Sequence, residues 1–237
     1  MEWTVEESCP DAVVIGAAGS GQRDDVLGVG PQIVSAVSGF TTRLQEQTSS
    51  SISVGFLALG YPATGVVEGT LFGFLGNDMF ESITQGRETL ISLVGTIGGQ
   101  CQRTSVYLIG YSQGASVVHD AVDRMPEAFR DTIGGVAVIS DPSRDADDPN
   151  TQHLTNDLDS TLIDIVTPHT RDGVFGPIPT PIWVNGSFYS ACARIDAVCN
   201  FAFVDILAAD LVHTDESYHG LAAEVGTLLA DGFLERR

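Results

Sequence analysis

The sequence predicts an α/β fold in which a central, mostly parallel sheet is flanked by helices on both faces. Three observations predict it. Short β-branched apolar runs alternate with longer stretches whose apolar residues recur at helical spacing. Those runs are continuous rather than alternating, as in strands buried on both faces. A chain of 237 residues with 43% apolar and 18% charged residues can bury a full core.

Residues 1–8 are polar and read as a tail, with residues 9–237 forming a single domain. Asp11 to Gly16 (DAVVIG) is a buried strand ending in glycines. Residues 28–47 carry Ile33, Val34, Val37, Phe40 and Leu44 at helical spacing. Ile52 to Leu59 is a second strand. Residues 77–98 are a second helix, with Phe80, Ile83, Leu90, Val94 and Ile97 on one side. Ser105 to Tyr111 (SVYLIGY) is a third strand, residues 113–124 a helix, and Ile133 to Ser140 (IGGVAVIS) a fourth strand. Residues 142–180 break the pattern with turn-forming Asp, Asn, Gly and Pro, and read as an irregular insertion. Ile182 to Tyr189 is expected as a last strand and residues 215–233 as a C-terminal helix.

Charge narrows the function. There are 31 Asp plus Glu against 11 basic residues, all of them Arg, for a net charge of −20. Such a chain repels phosphate backbones, so nucleic acid is excluded as a partner. No apolar run reaches the roughly 18 residues of a membrane span, so no transmembrane segment is predicted. The start, Met1-Glu2-Trp3, lacks the basic and apolar regions of a signal peptide, so the chain reads as a mature or trimmed form. The cysteines Cys9, Cys101, Cys192 and Cys199 form no CxxC pair. Their even number fits two disulfides in an oxidising compartment, with three pairings open.

Gly110-Tyr-Ser112-Gln-Gly114 is a G-x-S-x-G pentapeptide at a strand-to-helix junction. A turn there exposes the Ser oxygen, and the following helix aims N–H groups at the space above it. Read as a nucleophile, Ser112 needs a base and an orienting acid later in the chain, acid before base. His119 lies on the helix after Ser112 and is assigned to packing, and His153 and His169 fall in the irregular segment. His213 and His219 lie past the last strand, where a base belongs. Asp196 lies between Cys192 and Cys199, and a disulfide closing that loop would hold it rigidly. No third spaced ligand joins His213, Asp215 and His219, and Asp145, Asp147 and Asp148 lack the Gly and Glu of a calcium loop, so no metal is predicted. Gly16 to Gly21 departs from the dinucleotide-binding spacing. Leu71-Phe-Gly-Phe-Leu75 is expected to form core or site wall, and Trp183, Phe188 and Tyr189 to pack in the core.

At these residues the sequence resembles the cutinase family of serine esterases, compact α/β-hydrolases. The likeness runs over residues 9–220: Ala17-Ala-Gly-Ser20-Gly-Gln after the first strand, Tyr61-Pro-Ala, Ser82 with Gly86, G-Y-S-Q-G, and Cys192-Ala-Arg-Ile-Asp196-Ala-Val-Cys199. The resemblance implies Cys9–Cys101 and Cys192–Cys199 disulfides. It implies Ser112 as nucleophile, His213 as base (with His219, directly after Tyr218, as the alternative) and Asp196 as orienting acid. The backbone N–H groups of Ser20 and Gln113 would form the oxyanion hole, with the Ser20 hydroxyl adding a bond. It also implies a secreted monomer without cofactor that hydrolyses short- to medium-chain carboxylic esters of cutin, glycerides or lipids. Acetylxylan esterase, phospholipase A and thioesterase share that machinery, and a non-catalytic binding module on the same fold is the alternative of a different class.

Overall fold

The computed structural model describes residues 9–48, 51–65, 77–155, 171–184, 186–193, 196–201, 213 and 217–237. Six strands form one sheet: β1 (Ala12–Ala17), β2 (Val54–Ala58), β3 (Ser105–Tyr111), β4 (Ile133–Ile139), β5 (Gln152–Leu154) and β6 (Phe188–Ala191). Their order is β2-β1-β3-β4-β6-β5, and every pair is parallel. The helices are α1 (Pro31–Gln47), α2 (Asn77–Gln100), α3 (Gln113–Asp123), the single turn α4 (Glu127–Arg130) and α5 (Ser217–Glu235).

Strand alternation divides the apolar residues into two layers. Val13, Ile15, Val106, Leu108, Val136 and Val138 face α2 and α3, where Leu90, Val94, Ile97, Val117 and Val118 meet them. Ala12, Val14, Tyr107, Ile109, Ala137 and Ile139 face α1 and α5, where Ile33, Phe40, Tyr218 and Val225 complete the packing. The uninterrupted apolar strands thus follow from a sheet covered on both faces.

Two elements differ from expectation. The stretch read as one strand from Ile182 is a 3₁₀ turn over Ile182–Val184 followed by β6, which starts at Phe188. Pro181 fixes its own φ and Gly186 takes φ 80°, so the chain turns before it pairs with β4. The irregular segment also contributes a strand, β5, which pairs with β6 at the sheet edge. Its residues Gln152 and His153 are exposed, so no buried apolar run announced it.

The disulfides are Cys9–Cys101 and Cys192–Cys199. The first joins the approach to β1 with the approach to β3, across 92 residues. A loop of that length restricts the unfolded chain by about 4–5 kcal/mol in the chain-entropy account. The second closes the turn directly after β6.

The carboxyl ends of four adjacent strands, β1, β3, β4 and β6, lead into residues 18–22, Ser112, Ser140 and the Cys192–Cys199 loop. Parallel sheets collect their functional groups at this edge, because each strand delivers a loop to the same side.

Candidate active site

Ser112 stands between the last residue of β3 and the first of α3, with φ 53° and ψ −118°. Positive φ is costly for a residue with a Cβ, about 1–3 kcal/mol. The surrounding packing imposes it. A Cβ on Gly110 would collide with the backbone of Gly114, and a Cβ on Gly114 would collide with the Ala17 carbonyl. The two glycines of the pentapeptide are therefore required by close backbone approach. Gln113 is the first residue of α3, so its N–H has no partner within the helix.

Ser112 Oγ lies 2.8 Å from His213 Nε2, and His213 Nδ1 lies 3.0 Å from Asp196 Oδ2. His213, rather than His219, is the imidazole brought to Ser112. Ser112 and His213 are 4% and 8% exposed, so a small opening remains, while Asp196 is fully enclosed. The disulfide loop grips Asp196 through its backbone: Asp196 N–H donates to Ala193 O, and Asn200 N–H donates to Asp196 O. Val198 N–H donates to its Oδ1 at 2.9 Å.

Asp196 Oδ2 collects further donors. The Tyr218 hydroxyl donates at 2.6 Å while accepting Ala193 N–H, and the Ser140 hydroxyl donates at 2.5 Å. Burial opposes ionisation of Asp196, but the His213 imidazole and the donated bonds outweigh it and hold the carboxyl below its ordinary range. Burial raises the Tyr218 hydroxyl well above its usual value, and the neighbouring Asp196 charge adds to this, so it stays a donor. Tyr111 stacks its ring on the His213 imidazole at 5.4 Å and donates its hydroxyl to the His213 carbonyl.

Ser20 follows β1, the strand paired with β3. Its hydroxyl oxygen is enclosed and has no hydrogen-bond partner among the described residues. The loop around it is pinned. Gly19 N–H donates to Gln22 Oε1 at 3.0 Å, Gln22 Nε2 donates to Gln32 Oε1, and Gly21 N–H donates to Ala63 O. The Gln113 side chain lies between Ser82 and the Thr64 carbonyl. The Tyr61-Pro-Ala segment and Ser82 thus brace the Ser20 loop and Gln113.

His119 is not merely a packed side chain. It is buried and bonded through Nδ1 to Asp141 Oδ2 at 2.6 Å. Asp141 follows Ser140, so this pair ties α3 to the end of β4. Asp148 is 6% exposed and accepts the Thr180 N–H at 2.5 Å. It thereby fastens one part of the irregular segment to another. Burial disfavours its charge, yet hydrogen bonds from Asn150, Thr180 and Thr151 favour the carboxylate and hold its pKa below the ordinary value. Arg144 reaches from this segment to the Cys199 carbonyl and so touches the Asp196 loop. Phe188 and Tyr189 are buried and Trp183 packs against the core. Leu71 to Leu75, His169 and Asp215 lie outside the described residues. Among the described residues no group of His, Cys, Asp or Glu is arranged to hold a metal, and no helix is long and apolar enough to cross a membrane.

Ser140, Tyr111 and Tyr218 are the contributors to this geometry whose roles the residue pattern did not assign. Tyr218 stood out only as a neighbour of the two histidines. Tyr111 is read in sequence as a strand residue, and Ser140 as the polar end of one.

The family model described as Cutinase matches residues 8–219. The carboxylesterase Culp1 of Mycobacterium bovis is 28% identical over 137 residues, which is 58% of this chain and 54% of the relative. The cutinase CUT1 of Coprinopsis cinerea is 31% identical over 139 residues, 58% of this chain and 60% of the relative. The chain thus spans little more than half the length of these curated relatives. Among solved structures, the catalytic core domain of the acetyl xylan esterase from Trichoderma reesei superposes with a TM-score of 0.65 at 16% identity, covering 97% of this chain and all of that one. At that identity the likeness concerns the fold.

Proposed function

The chain belongs to the cutinase family, and from that premise we propose that it is a secreted serine esterase that cleaves short- to medium-chain carboxylic esters through an acyl-enzyme. The observation that carries the reading is the continuous hydrogen-bonded line from Ser112 Oγ through His213 to the enclosed Asp196. Relatives named carboxylesterase and cutinase support the same reaction class. The two disulfides support an oxidising, extracellular setting.

Each step has an assigned group. Ser112 Oγ attacks the ester carbonyl carbon as His213 Nε2 takes its proton. The carbonyl oxygen becomes an oxyanion, held by the N–H groups of Gln113 and Ser20 and by the Ser20 hydroxyl. The carbonyl re-forms, the C–O bond breaks, and His213 returns the proton to the leaving alcohol. Water then attacks the acyl-enzyme with His213 again as base, releasing the acid and restoring Ser112. Asp196 keeps the proton on Nδ1, so that Nε2 faces Ser112 unprotonated, and stabilises the imidazolium that forms. Natural esters of this class include cutin, glycerides and other lipid esters.

The test uses p-nitrophenyl esters from acetyl to palmitoyl together with a serine-directed phosphonate. Expected are saturable hydrolysis that declines toward palmitoyl and one phosphonate per chain on the peptide carrying Ser112. Hydrolysis confined to acetyl esters redirects the substrate reading to an acetyl esterase. No hydrolysis and no labelling rejects the enzyme reading in favour of a binding module on this fold.

The unpartnered Ser20 hydroxyl makes a second expectation. Among the described residues it has no ground-state bond to lose, so its contribution arises as the oxyanion forms. Ser20→Ala should lower kcat about 10²-fold or more with little change in KM. Steady-state kinetics checks this, and a change confined to KM would assign Ser20 to ground-state binding.

A further inference from the structure

Ser140 closes β4 in a conformation that its side chain resists. Its φ is 51°, in the left-handed region where a Cβ is strained and glycine is favoured. Its backbone is nevertheless fixed on both sides. Ser140 N–H donates to Ala191 O, which extends the β4–β6 pairing. The next residue, Asp141, is locked by His119 and by the Ser143 N–H. With the backbone held this way, successive side chains diverge: Asp141 toward α3, Ser140 toward Asp196 and His213.

The Ser140 hydroxyl is fully enclosed and sits in the angle between the two. Its Oγ is 2.5 Å from Asp196 Oδ2 and 2.9 Å from His213 Nδ1. A carboxylate oxygen only accepts, so the hydroxyl proton points to Asp196. The Oγ lone pairs are then open to His213 Nδ1–H, which is shared between Asp196 Oδ2 and Ser140 Oγ. Glycine would relieve the backbone strain and forfeit both bonds. Tyr218 approaches the same Oδ2 but does not reach the imidazole, so it cannot replace Ser140 in fixing the ring.

We propose that Ser140 is a positioning residue of the esterase site, whose hydroxyl bridges Asp196 and His213 and sets the ring so that Nε2 meets Ser112. This rests on the esterase reading above. Ser140 touches neither substrate nor reacting atoms; it acts through His213. Strain at an enclosed residue bonded to two partners of the site marks a local cost retained for that placement.

The test compares Ser140→Gly with Ser140→Ala. Both remove the hydroxyl, but only Ala keeps the strained Cβ. Strain alone therefore sets Gly about 2–4 °C above Ala in Tm. If Ser140 positions the base, both variants lose about 10–100-fold in kcat with KM within twofold, whatever their order in Tm. The downfield Nδ1 proton of His213 in the resting protein, assigned by its loss in His213→Gln, should also shift in both. A kcat of Ser140→Gly within twofold of the unaltered protein, or an unmoved Nδ1 proton, overturns the proposal. A kcat loss confined to the less stable of the two variants assigns Ser140 to structure alone and also overturns it. Ser112→Ala measured alongside keeps the readings apart. If it is as active as the unaltered protein, Ser112 is not the nucleophile and the reading of this site as the esterase centre fails, and the Nδ1 proton still decides the Ser140 bond.

Discussion

Ser112→Ala is expected to lower kcat for p-nitrophenyl ester hydrolysis by about 10⁶-fold and to abolish phosphonate labelling. The size of the effect follows from the division of labour in the site. Among the described residues His213 Nε2 meets one nucleophile, Ser112 Oγ. Losing Oγ therefore silences the whole line at once, and what remains is water attacking a carbonyl held by the oxyanion donors. The fold should be unaffected or slightly strained, because Ala keeps the Cβ that the φ of 53° already accommodates. Unchanged Tm with vanished turnover is the expected pair of results. Equal activity in both proteins would mean that another nucleophile does the work and would remove the central assignment.

The same contrast between local pattern and long-range geometry decides what the sequence revealed. The runs AVVIGA and SVYLIGY were legible as strands because burial on both faces demands continuous apolar residues there. Helix α3 was legible from its apolar positions and its start after the pentapeptide. Strand β5 was not, because an exposed edge strand of three residues asks little of its side chains. In the site, Ser112 could be read from the glycines around it, since backbone crowding is a local demand. Asp196 could be read because the two flanking cysteines mark a closed loop. His213 was separable from His219 only by the fold, which brings the His213 imidazole to Ser112 Oγ. Ser140 had no signal at all. Its bonds to Asp196 and His213 span 56 and 73 residues, and nothing in IGGVAVIS indicates where its last side chain will point. The His119–Asp141 pair was missed for the same reason, since its partners lie on a helix and beyond a strand that meet only in the fold.

Asp196 gives the second large effect, and its partners predict how two substitutions will differ. Asp196→Ala should lower kcat about 10⁴-fold with KM little changed, because the carboxylate that holds the proton on His213 Nδ1 and offsets the ring's positive charge is gone, and the neutral Ser140 hydroxyl cannot supply that charge. Asp196→Asn should be milder. Oδ1 receives one donor, Val198 N–H, whereas Oδ2 faces three: the Ser140 and Tyr218 hydroxyls and His213 Nδ1. An amide that turns its oxygen to the three donors sets its NH₂ against a single N–H. The reverse orientation sets it against all three. The first orientation therefore wins, the proton stays on Nδ1, and only the negative charge is lost, for about 10–100-fold in kcat. Equal losses in the two variants would show that the amide turns the other way and that the tautomer is lost in both. The charge also has a signature in stability. Burial works against the carboxylate, but His213, Ser140 and Tyr218 hold its folded-state pKa below the ordinary value. A carboxyl depressed in this way stabilises the fold fully above its unfolded pKa of about 3.9, and that contribution is lost as pH falls through the lower folded value. Asp196→Asn does not titrate, so its stability should depend less steeply on pH below about 4 than that of the unaltered protein. Chemical denaturation between neutral pH and pH 3 measures the difference; parallel curves would mean that Asp196 is not held ionised by these three partners.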